Sequence, residues 1–145
     1  MNRSRLIRGL GLAILASAVS TGALLAQVSG VTSQVVGRGT GEVPTALEIP
    51  AGPTDIVGSR VTLAPEGIVS WHTHPGPVAV TVLKGTLTIE DCLGQKPFAA
   101  GTAFVMPSGH LHQDRNLTTE EVEILATYIV PPGRDLREHV DPPTC

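Results

Sequence analysis

Beyond its first thirty residues, this chain nowhere sustains a 3.6-residue apolar period for three turns, and that excludes a helical domain. Twelve prolines and sixteen glycines interrupt it instead, cutting the sequence into runs too short for helices. The runs at 55–64, 68–74, 78–83, 86–90, 102–106 and 122–130 read as strands. The last is the clearest: Val122, Ile124, Ala126, Tyr128 and Val130 alternate with Glu121, Glu123, Leu125, Thr127 and Ile129. Lys84 and Gly85, between two such runs, read as a hairpin turn. Short strands at near-regular spacing predict an all-β sandwich or barrel, and a small jelly roll fits the count.

A length of 145 residues allows one domain at most. Residues 1–26 stand apart from it. Arg3, Arg5 and Arg8 precede a run of Leu, Ala, Ile and Val, and no charge follows until Arg38, which describes a cleavable secretory signal. The rival reading is an uncleaved membrane anchor, for which the run is just long enough. Residues 27–46 read as a linker or first strand, 47–131 as the barrel, and 132–145 as a charged, proline-rich tail along its exterior. Either fate of the first segment places the domain outside the cytoplasm, periplasmic or extracellular.

Removing residues 1–26 takes away three arginines and no acid, leaving seven basic against thirteen acidic residues, formally −6. Such a balance excludes nucleic acid and anionic lipid as partners, and the membrane enters only through an uncleaved first segment. In an oxidising compartment the two cysteines, Cys92 and Cys145, invite a disulfide tying the tail to a strand end, the alternative being two free thiols.

Four of the five histidines fall in two windows, 67–85 and 101–116. On a strand, residues i and i+2 face the same side, so His72 and His74 project together. His112, read as ending a later strand, offers a third nitrogen from across the barrel. Neutral imidazole suits first-row ions, leaving Fe, Mn, Zn, Ni and Cu all open. Three protein ligands leave coordination positions free, as at catalytic sites. His110 stands two residues before His112, either turned to the rim or serving as a ligand or proton carrier. Gln113, Glu66 and Thr73 are candidates for the mouth, and Trp71, alternating with His72, is expected on the opposite side.

These windows resemble the cupin family. Its second motif, G-x5-P-x-G-x2-H-x3-N, is matched at Gly101, Pro107, Gly109, His112 and Asn116. Its first, G-x5-H-x-H-x3,4-E-x6-G, is matched at His72, His74 and Gly85, with Gly67 one residue closer than the pattern asks. The resemblance implies a single small jelly-roll barrel holding a divalent metal on His72, His74 and His112, and by analogy a possible homodimer. One position departs: the ligand glutamate falls on Val78, which cannot bind metal. The expected site is therefore three neutral imidazoles, which leave a divalent ion its full charge. Asn116 is expected to organise a turn, and the sequon it begins with Thr118 is read as coincidence.

Three functions stay open. One is a metal-dependent oxidoreductase of the dioxygenase type acting on a small, largely apolar molecule. The second is a metal or small-ligand binder without turnover, a sensor or scavenger. The third is a metal-free structural barrel. The absence of a placeable carboxylate weighs against hydrolytic or isomerase chemistry, and no arginine can be set beside the metal from sequence.

Overall fold

A computed structural model describes residues 34–40, 49 and 51–145 of the chain. The signal or anchor expected over residues 1–26 lies outside the described residues, as does most of 27–46. All described regular structure is β: β1 Asp55–Leu63, β2 Ile68–Thr73, β3 Val78–Lys84, β4 Thr86–Asp91, β5 Gly94–Ala99, β6 Ala103–Met106, β7 His112–Arg115, β8 Val122–Val130 and β9 Glu138–His139. They form two antiparallel sheets, ordered β1-β8-β3-β6 and β5-β4-β7-β2-β9. The all-β expectation holds.

Period-two alternation decides which face is buried. On β8, Val122, Ile124, Ala126, Tyr128 and Val130 are buried while the residues between them are not. Val78, Val80 and Val82 of β3 join them from the same sheet, and Leu87 and Ile89 of β4 come from the other. The inner faces of the two sheets thus share one core, and burying side chains of this size contributes about 1.5–3 kcal/mol each.

Three features depart from the sequence reading. Gly85 closes no hairpin: β3 pairs with β6 and β8, whereas β4 pairs with β5 and β7, so Gly85 carries the chain from one sheet to the other. It does so at φ 72°, a conformation that glycine adopts without a Cβ penalty. The true hairpin is β4–β5, with Asp91 opposite Gly94 and the Asp91 carboxylate accepting the Leu93 N–H at 2.7 Å. Strand β5 itself escaped the sequence reading because it is largely exposed and holds Pro97, tolerable only at a sheet edge, where β5 lies.

The tail is the third. Residues 132–145 stay at the surface but hold a strand that the sequence did not suggest, β9, which adds to β2 with His139 opposite His72 and Glu138 opposite Thr73. The Val140 N–H donates to the Trp71 carbonyl at 3.0 Å. A Cys92–Cys145 disulfide, with Cα atoms 5.3 Å apart, ties the end of this strap to the β4–β5 turn.

At the opposite end of the chain, residues 34–40 carry no strand but press on the barrel. The Arg38 N–H donates to the Gly101 carbonyl, and a Cβ on Gly39 would lie 1.6 Å from the Ala103 oxygen. Only glycine permits that approach.

Asn116 organises its turn as expected, and more. Wholly buried, it donates Nδ2–H to the carbonyls of Leu63, Ala64 and Glu120 and accepts from the Thr118 N–H and hydroxyl. Its side chain is fully used within the fold, in keeping with a coincidental sequon.

Candidate metal centre

His72 and His112 face each other across neighbouring strands of one sheet, β2 and β7, in direct register. His112 therefore opens β7 rather than ending a strand, and it reaches the pair from the adjacent strand rather than from across the barrel. His74 follows the end of β2. The register slips between Val69 and His72, a bulge that lets both side chains line the interior although strict alternation would part them.

The three imidazoles converge. Ring centroids lie 4.3 Å apart for His72 and His112, 4.8 Å for His72 and His74, and 5.3 Å for His74 and His112. One nitrogen from each lies within 4.8 Å of the others, and all three residues are buried.

Backbone carbonyls set the tautomers. Nδ1 of His72 lies 2.7 Å from the Ser70 oxygen, that of His74 2.7 Å from the Leu136 oxygen, and that of His112 2.9 Å from the His110 oxygen. A carbonyl only accepts, so each Nδ1 carries the proton and each Nε2 presents a lone pair. Nε2 of His72 is buried with no hydrogen-bond partner, a costly state that a cation would relieve. An imidazole held through its other nitrogen is the usual support of a metal ligand. These residues fit a divalent ion.

Burial keeps the rings neutral. It lowers the His72 pKa to about 4 and that of His112 to about 3, and lowers His74 as well, in each case against the raising effect of the carbonyl bond. Between the folded values and the ordinary 6.5, the unfolded chain binds more protons, so the metal-free protein loses stability as pH falls through that window. Asp114 opposes this, since burial raises its pKa to about 7 and the folded state there holds the extra proton. Three histidines outweigh one carboxyl, so the metal-free melting temperature should fall steadily between pH 7 and pH 5. A melting temperature that stays flat or rises on acidification would contradict these neutral, buried rings.

Val78 stands where the sequence comparison puts it, almost fully buried beside the histidines and unable to supply a charge. Two groups missed from sequence stand near instead. The Asp114 carboxylate lies 3.6 Å from His112 Nε2, and Arg137 of the strap lines the same cavity. Asp114 was within reach of the alternation rule, being two residues from His112 on one strand. Arg137 was not, because only the pairing of β9 brings it there.

Other candidates stay outside the cluster. Gln113 bonds the Glu90 carboxylate, and His110 pairs with Asp91 at 3.2 Å, partly exposed. Glu66 occupies a turn at φ 62°, Thr73 pairs with Glu138, and neither lines the cavity, nor does Trp71.

The cavity among Val61, Val80, Leu87, Met106 and the histidines measures about 20 Å³, room for one ion or water but for no organic molecule. Apart from the histidines, Asp114, Tyr128 and Arg137, its lining is apolar, and its own side chains fill it. A wider concavity of about 180 Å³ lies at Val69, Ser70, His72, Arg137 and His139.

Residues 59–128 match a family model described as a Cupin domain. Germin-like protein 5-1 of Oryza sativa subsp. japonica is 42% identical over 64 residues, which make up 40% of this chain and 29% of that protein, so the chain spans under a third of that relative's length. The polyketide cyclase RemF of Streptomyces resistomycificus has the same fold, with a TM-score of 0.53 at 18% identity over 68% of this chain and 69% of that one. A predicted oxalate decarboxylase of Thermotoga maritima is 28% identical, with a TM-score of 0.47 over 52% of this chain and 66% of that one.

Proposed function

The barrel is a cupin domain over residues 59–128, and from that premise we propose that the chain is an exported protein holding a divalent transition metal on His72, His74 and His112. The observation that carries this reading is the set of three Nε2 lone pairs, their Nδ1–H groups committed to carbonyls and that of His72 left without a partner. Export is supported by the Cys92–Cys145 disulfide, which persists in oxidising compartments.

A metal held by three neutral imidazoles would act as a strong Lewis acid with open positions and, if iron, could serve oxidative chemistry of the dioxygenase type. Asp114, its carboxyl 3.6 Å from His112 Nε2, stands at the edge of the site as a candidate acid–base group. It removes the objection to proton-transfer chemistry that the sequence raised. The substrate is a small molecule that meets the site from the concavity beside His72 and Arg137, since the inner cavity admits no organic body. That small cavity also favours a second reading, a metal holder without turnover.

Metal analysis of protein purified without a histidine tag tests the proposal. Close to one transition-metal ion per chain is expected, falling to background in the His72→Ala/His112→Ala double variant while the disulfide still forms. Folded protein free of metal after metal-replete growth would sink it. Oxygen consumption with phenolic, diketone and thiol substrates then separates enzyme from holder.

A further inference from the structure

We infer that Arg137 and the metal centre together bind a small carboxylate in the concavity between β2 and the C-terminal strap. This rests on the metal reading above and names its ligand class.

The strap fixes Arg137 over the histidines from both sides. The residue before it, Leu136, gives its carbonyl to His74 Nδ1–H, and the residues after it pair with Thr73 and His72. Arg137 lines both the inner cavity and the concavity outside it, and its positive field reaches His72, His74, Asp114 and Tyr128.

Nothing in the described protein occupies its donors. Arg60 pairs with Glu123, Arg115 with Glu90 and Arg134 with Glu138, but Arg137 has no carboxylate within salt-bridge distance and makes no side-chain hydrogen bond. Arg137 is an exposed side chain on the lining of the concavity, and its planar fork of five N–H groups matches a carboxylate bidentately.

Charge points the same way. With Val78 in place of a carboxylate, Asp114 is the one acid among the residues lining the cavity, so a bound divalent ion and Arg137 together would leave the mouth cationic on a chain of formal charge −3. An anion entering there gains both partners at once. About 180 Å³ limits it to a small one.

The test uses the full chain loaded with cobalt(II), whose visible spectrum reports a change in coordination. Trp71, the only tryptophan, lies beside His72 and gives a second signal. Cobalt is titrated first, then acetate at constant ionic strength, in wild type, R137Q and R137K. Saturable acetate binding is expected in wild type and about tenfold weaker binding in R137Q. R137K should fall between them, since lysine keeps the charge and loses the fork. Cobalt affinity should be no weaker in R137Q than in wild type, since losing a neighbouring positive charge cannot weaken a cation site. Equal acetate affinity in R137Q, or no acetate response in cobalt-loaded wild type, overturns the inference and leaves the metal reading standing. A wild type that takes up no cobalt overturns both, and the first titration shows this before any acetate is added.

Discussion

Asn116→Ala should destabilise the protein by about 3 kcal/mol, a fall in melting temperature of roughly 10–20 °C for a domain of this size. Five hydrogen bonds end on this one buried amide, and they tie the end of β1 at Leu63 and Ala64 to the turn between β7 and β8 at Thr118 and Glu120. Alanine removes all of them and leaves a hole where the buried amide was. Asn116→Asp is the instructive control. It keeps the acceptor for Thr118, loses every donor, and sets a carboxylate against three carbonyl oxygens, so it should cost at least as much as alanine. Urea unfolding of the three proteins gives the comparison. A loss below about 1 kcal/mol for alanine would mean that water replaces the amide, and that the residue serves something other than the fold.

Asn116 also illustrates what was legible in the sequence. Its role as a turn organiser, the inward set of β8 and the shared face of His72 and His74 follow from local rules of alternation and spacing, whereas the joining of His112 to that pair and the meaning of the valine at position 78 come from the resemblance to the cupin motifs. The misses share a different cause. Gly85 looks locally like a hairpin turn, and only the partners of β3 and β4 reveal a crossing between sheets. Strand β5 has no buried face to impose alternation, and β9 is two residues long. Arg137 gains its place from that short pairing. Register between distant strands is a property of the assembled sheet, and a window of neighbouring residues carries little trace of it. Asp114 belongs to neither group, because its position two residues beyond His112 already set it on the inner face.

Breaking the Cys92–Cys145 link should damage stability and metal binding together. The bridge closes a separation of 53 residues, for which loop-closure entropy alone stabilises by about 4 kcal/mol. The second effect is local to the site. His74 has its Nδ1–H on the carbonyl of Leu136, a strap residue, so the orientation and basicity of that ligand depend on the strap staying docked. Losing such an outer partner typically lowers metal affinity 10–100-fold. The Cys92→Ser/Cys145→Ser double variant is therefore expected to melt well below wild type and, at temperatures where it remains folded, to release metal to a competing chelator at a correspondingly lower chelator concentration. The two losses can be told apart. If β9 pairing with His72 and Thr73 and the Val140 bond to Trp71 suffice to hold the strap, stability will fall while metal affinity stays at the wild-type value. That outcome would reduce the disulfide to a staple on the unfolded chain. A drop in both would make the oxidised tail a working part of the metal centre, and reduction a way to open it.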